Sequence, residues 1–129
     1  MGATNYKYYT DNQIQIAQAF KALGHPARIA ILELLCQFDH LNIKDINSFI
    51  PISQSNLSRH CKELYLAGII GQNNVASNTF YKLNTLQIQR MGEYIEQIER
   101  KRGDVLPAPL LHLFKTFLIK PKIRSYPLT

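Results

Sequence analysis

The order of elements between Ile43 and Leu83 constrains this 129-residue chain more than any other feature. Ile43 to Phe49 reads as a short helix carrying Ile46 and Phe49, and Pro51 closes it. Ser53 is placed to cap a further helix reaching about Ala67. Along that helix Leu57, Cys61 and Leu64 fall on one face, while Gln54, Ser55, Ser58, Arg59 and Lys62 fall on the others. Gly68 ends it. Ile69 to Gln72 and Thr79 to Leu83 follow as two short strands. The six residues between them, Asn73-Asn74-Val75-Ala76-Ser77-Asn78, are rich in turn formers and predict a hairpin.

The flanking segments are helical. Thr10 and Gln13 fit a capping box, and Ile16, Ala19, Phe20 and Leu23 recur at helical spacing before Gly24. Pro26 restarts the chain at a first-turn position, with His25 at the helix start. Ile29, Ile31, Leu32, Leu34 and Leu35 then make a second helix to about Gln37, apolar on most sides and expected at the centre of the core. Asn84 and Gln87 offer another capping box. Ile88, Met91, Ile95 and Ile98 share one face of a last helix ending near Arg102. The fold class expected is mainly α with a small β-hairpin: a helix-turn-helix with a wing. Residues 1–103 are expected to form that domain, and 104–129 an apolar, basic C-terminal tail expected to pack across a dimer or beside the last helix.

Charge sharpens this division. Residues 1–100 hold nine Lys/Arg against eight Asp/Glu, whereas residues 101–129 hold six basic residues against Asp104 alone. The overall charge of +6 favours polyanionic partners, although most of the excess lies outside the helix-turn-helix. Two cysteines, Cys36 and Cys61, are too few for a disulfide-stapled secreted scaffold. The polar, tyrosine-rich first ten residues do not read as a signal peptide, and no run approaches a membrane span, so a cytoplasmic protein without a membrane partner is expected. There is no glycine-rich phosphate loop and no Ser/His/Asp or Cys/His set in a recognisable context, which argues against an enzyme.

Two blocks carry a family resemblance. Ala22-Leu23-Gly24-His25-Pro26-Ala27-Arg28-Ile29-Ala30-Ile31-Leu32-Glu33-Leu34-Leu35 resembles the opening of the ArsR-type winged-helix regulators. Ile52-Ser53-Gln54-Ser55-Asn56-Leu57-Ser58-Arg59-His60-Cys61-Lys62-Glu63-Leu64 resembles their recognition helix, and Ala67-Gly68-Ile69-Ile70 with Phe80-Tyr81-Lys82-Leu83 their wing strands. The likeness spans roughly residues 15–100. It implies a transcription regulator that binds double-stranded DNA, expected here to be a repressor.

The residues suit that role. A helix entering the major groove needs short polar side chains at its leading end and longer donors behind them. Gln54, Ser55 and Asn56 supply the first; Ser58, Arg59 and Lys62 supply the second. Arg59 suits either a guanine edge or a phosphate. Ser53, Asn74, Ser77 and Asn78 are candidate DNA-backbone contacts, and His60 is expected either to orient the recognition helix or to touch a phosphate of the DNA backbone. The wing tip departs from the family in lacking Lys or Arg, so it releases fewer counterions. A winged-helix protein-interaction module that no longer binds DNA is the alternative. The resemblance also implies a homodimer formed by the first and last helices, with Ile16, Phe20, Ile88, Met91, Ile95 and Ile98 as interface candidates. Family metal sites use thiolates at the third helix or His and carboxylate clusters on the last. Here Asn42-Ile43-Lys44 stands at the first position, and the last helix has no His, Cys or Asp. Glu93, Glu96 and Glu99 read as a solvated acidic face. No metal and no other cofactor is therefore expected. Cys61 reads as core, and a Cys36–Cys61 thiol switch is disfavoured.

Overall fold

The computed structural model describes residues 5–102. After a 3₁₀ turn at Tyr6–Tyr8 come α1 (Asp11–Ala22), α2 (Pro26–Gln37), β1 (Leu41–Asn42), α3 (Ile43–Phe49), α4 (Gln54–Leu66), β2 (Ile70–Val75), β3 (Asn78–Leu83) and α5 (Thr85–Arg102). This is the helix-turn-helix with a wing, mainly helical as expected. The C-terminal tail and its expected packing lie outside the described residues.

The helix boundaries follow from their caps. The Thr10–Gln13 capping box forms in both directions, at 3.1 and 2.9 Å. Helix α2 starts with Pro26 in its first turn, and the His25 Nδ1 accepts the Ala27 N–H at 3.0 Å. A capping box absent from the sequence reading opens α3, where Asn42 and Asp45 exchange bonds of 2.8 and 3.2 Å. Gly68, at φ 75°, closes α4. Its N–H donates to the Tyr65 carbonyl and that of Ile69 to the Leu64 carbonyl, the double bond pattern that a left-handed residue permits.

The sheet holds three antiparallel strands in the order β1-β3-β2, one more than the predicted hairpin. The ladder between β2 and β3 runs from the pair Ile70–Leu83 to Val75–Asn78, leaving only Ala76-Ser77 as the connection. Four of the six expected turn residues are thus strand. They project past the core, where both faces meet water and polar side chains cost nothing, and the Thr79 hydroxyl donates across the strands to Asn74 Oδ1 at 2.7 Å.

The core gathers Ala19, Ile31, Leu35, Ile46, Leu57, Cys61, Leu64, Ile69, Ile70, Tyr81 and Met91. Helix α2 is less central than its composition suggests. Only Ile31 and Leu35 are fully enclosed, because α4 and β3 cover one side of it and leave Ile29 exposed. The reciprocal Asn84–Gln87 box is also corrected. The Asn84 N–H is already taken by the Ile69 carbonyl, so the Gln87 amide donates instead to the Ala67 carbonyl. Asn84 Nδ2 adds a bond to the Gly68 carbonyl at 2.8 Å, which locks the start of α5 onto the end of α4.

Candidate nucleic-acid interface

Helix α4 is seated by its apolar face and by the turn before it. Leu57, Cys61 and Leu64 are fully buried. Asn47 of α3 donates to the carbonyls of Ile50 and Ile52 at 3.0 and 2.8 Å, fixing the four-residue link between α3 and α4. The sequence reading missed this role; an Asn at the end of a short helix before a proline turn was its only signal. The Ser53 hydroxyl accepts the Asn56 N–H at 3.2 Å and so caps α4.

The opposite face stands open. Gln54, Ser55, Asn56, Ser58, Arg59 and Lys62 are all exposed, as a groove-reading helix requires. Ser55, Arg59 and Lys62 follow one another at helical spacing along the side remote from the core. Arg59 Nη2 donates to Asn56 Oδ1 at 3.2 Å, which aligns the guanidinium along the helix before any partner arrives. The first turn of α4 carries no acidic residue, so the positive end of the helix dipole is left for an anion. In the wing, Asn74, Ser77 and Asn78 are exposed at the tip.

Two candidates are corrected. His60 does not face outward with the backbone-contact set: it is 5% exposed and sits on the core side of α4. Its Nδ1 accepts a hydrogen bond from Arg28 Nε at 3.1 Å, and its ring lies 4.4 Å from that of His25. Burial, with His25, Arg28 and Arg59 nearby, holds its pKa below the usual histidine value. Met91 is likewise enclosed by the chain's own core and has no surface left for a partner. The other dimer candidates differ in availability. Ile16 and Ile88 pack partly against the core, whereas Phe20, Ile95 and Ile98 are exposed.

Arg28 is the residue that sequence reasoning passed over. Besides His60 it reaches the Ala22 carbonyl at the end of α1, at 3.1 Å. It is the sole Lys or Arg between Lys21 and Lys44, and a lone cation within an apolar helix was the available signal. The Cys61 thiol is buried and pushed up to about 12, far from a reactive thiolate. Among the described residues there is no group of three or more His, Cys, Asp or Glu able to hold a metal ion. No described helix is long and apolar enough to cross a membrane.

Comparison with known proteins bears on this geometry. Residues 25–71, which hold α2 through α4, match the family described as bacterial regulatory protein, arsR family. The arsenical resistance operon repressor of Bacillus subtilis is 32% identical over 88 residues, covering 67% of this chain and 84% of the repressor. HlyU of Vibrio cholerae, named a transcriptional activator, is 26% identical over 94 residues, covering 73% of this chain and 86% of the activator. A solved HlyU structure superposes with a TM-score of 0.58 over 70% of this chain and 97% of its own. A homodimeric winged helix-turn-helix DNA-binding domain from Mycobacterium bovis shares the fold at 19% identity, with a TM-score of 0.58 over 78% of this chain and 91% of that one. Sequence and architecture agree, and this chain belongs to the ArsR family of bacterial transcription regulators.

Proposed function

We propose that the protein is a homodimeric, sequence-specific DNA-binding repressor that reads the major groove with α4 and works without the family's metal sites. The observation that carries this is the open outer face of α4, a capped helix with exposed Gln54, Ser55, Asn56, Ser58, Arg59 and Lys62 and no carboxylate in its first turn. Two such helices about 34 Å apart match successive major grooves. Exposed Phe20, Ile95 and Ile98 supply apolar surface for the pairing. A cytoplasmic location follows from the role. Repression is supported by the Bacillus subtilis relative; the Vibrio cholerae relative is named an activator, so a reporter gene placed behind the selected site gives the sign.

The test is selection of bound duplexes from a random pool, followed by mobility shift. Enrichment of a two-fold symmetric site bound by a dimer supports the proposal. The uncharged wing tip favours one rival, a winged-helix module that binds protein instead, and failure to shift any duplex at low salt favours that rival.

A further inference from the structure

His60 is the one buried polar or charged side chain of the described core, and it lies on the helix proposed to read DNA. It belongs to a linked set. Arg28 on α2 donates from Nε to His60 Nδ1 on α4 and from Nη1 to the Ala22 carbonyl that ends α1, both at 3.1 Å. One guanidinium therefore ties three helices. The His25 ring packs at 4.4 Å on the imidazole while its own Nδ1 caps α2 through the Ala27 N–H. With Nδ1 accepting, the neutral imidazole keeps its proton on Nε2. A second proton on Nδ1 would abolish the acceptor and turn an attraction into a meeting of two cations.

We infer that Arg28 and His60 are positioning residues for the reader: the Arg28 bridge holds α4 in its seat while His60 is neutral, and protonation of His60 loosens that seat and weakens DNA binding as the pH falls. This rests on α4 being the DNA-reading helix. The groups acting on His60 agree in sign. Burial opposes a charge there most, and His25 at the cap of α2, Arg28 on α2 and Arg59 on α4 oppose it further. Lys21 of α1 and Glu63 of α4 line the adjoining cleft beside Arg28. Glu63 is exposed, so water screens the one carboxylate placed to offset the cations. Because the folded state binds this proton less readily than the unfolded chain, the stabilisation is complete above the ordinary histidine value of about 6.5. It is lost as the pH falls from there through the lower folded value.

The test uses the full chain and a duplex selected from a random pool. Wild type, His60→Asn and His60→Leu are compared from about pH 7.5 down to about pH 5.5, a span that brackets histidine titration. Asn carries its side-chain oxygen at the distance of Nδ1 from the backbone and does not titrate, so it restores the acceptor for Arg28. Wild-type affinity should fall several-fold more across this range than that of His60→Asn. His60→Leu should bind about tenfold more weakly at every pH, because it leaves the part-buried Arg28 Nε without its acceptor. Melting temperature and the amide NMR shifts of residues 54–66 are followed over the same range without DNA. Parallel affinity and melting profiles for wild type and His60→Asn overturn the inference. If no duplex binds at any pH, the reader assignment fails by itself. The shifts of α4 then decide the positioning role: a titration present in wild type and absent in His60→Asn supports it, and its absence from both overturns it.

Discussion

Removing one cation from α4 should change how DNA binding responds to salt, and by an amount the structure fixes. Log affinity falls against log salt with a slope of about −0.9 for each phosphate neutralised. The outer face of α4 offers two cations, Arg59 and Lys62, and a dimer presents each twice. The wing tip, with Asn74, Ser77 and Asn78, adds amides and a hydroxyl but no charge. If both cations rest on phosphates, the reader contributes a slope of about −3.6, or roughly a 150-fold loss of affinity between 50 and 200 mM salt. Lys62→Ala should flatten the slope by about 1.8 and weaken binding equally on selected and unrelated duplexes. Arg59→Ala separates two roles for a guanidinium already aligned by Asn56 at 3.2 Å. As a phosphate contact it flattens the slope like Lys62. As a guanine contact it leaves the slope alone and costs about 1–3 kcal/mol on the selected duplex only. Fluorescence anisotropy of a labelled duplex, titrated at several salt concentrations, measures all three proteins. A wild-type slope far steeper than −3.6 that neither substitution reduces refutes the reasoning, since the phosphate contacts would then lie away from α4.

Three further outcomes are expected. Ile98→Glu, on the exposed end of the α5 stripe, should leave the fold intact and shift the dimer toward monomer in equilibrium sedimentation; an unchanged dimer constant would remove this stripe from the interface. With its pKa pushed up to about 12, Cys61 has only about one thiolate in 10⁵ molecules at pH 7, so it should resist iodoacetamide until the protein unfolds; rapid native alkylation, read by mass spectrometry, would contradict that environment. Ala76 holds φ at 55°, where a Cβ costs about 1–2 kcal/mol, so Ala76→Gly should be neutral or slightly stabilising and Ala76→Val clearly destabilising in urea melts.

Where one local rule decided the structure, the sequence was readable. Ser53, Gly68, Pro26 and the Thr10–Gln13 pair each specify a helix end through groups a few residues apart: α1, α2 and α4 begin, and α4 ends, where those groups stand. The polar face of α4 was readable for the same reason, since period 3.6 sorts its residues once Leu57, Cys61 and Leu64 are assigned inward. The errors came where a distant partner changed the outcome. β1 is two residues long and exists only because β3 passes beside it, at the pairs Leu41–Tyr81 and Asn42–Phe80. Gln87 abandoned its predicted partner because Ile69 had already satisfied the Asn84 N–H. Met91 and Ile98 look alike in the sequence, but the core ends between them, leaving one enclosed and the other half exposed.

His60 shows why the face of a helix and the role of a residue are separate questions. It follows Arg59 directly, and from the sequence alone a phosphate contact and an orienting role for α4 were both open to it. A step of one residue turns a helix by about 100°, which carries the side chain from the outer ridge to the core side. An imidazole there is tolerated only with a partner, because an unpaired buried polar group costs about 1–3 kcal/mol. The partner lies 32 residues away on α2. Replacing both residues by apolar ones of similar shape could satisfy the core equally well. Keeping a titratable base under the reader and a permanent cation against it gives up that simpler solution, and what the pair adds in exchange is a seat for α4 that depends on a single proton.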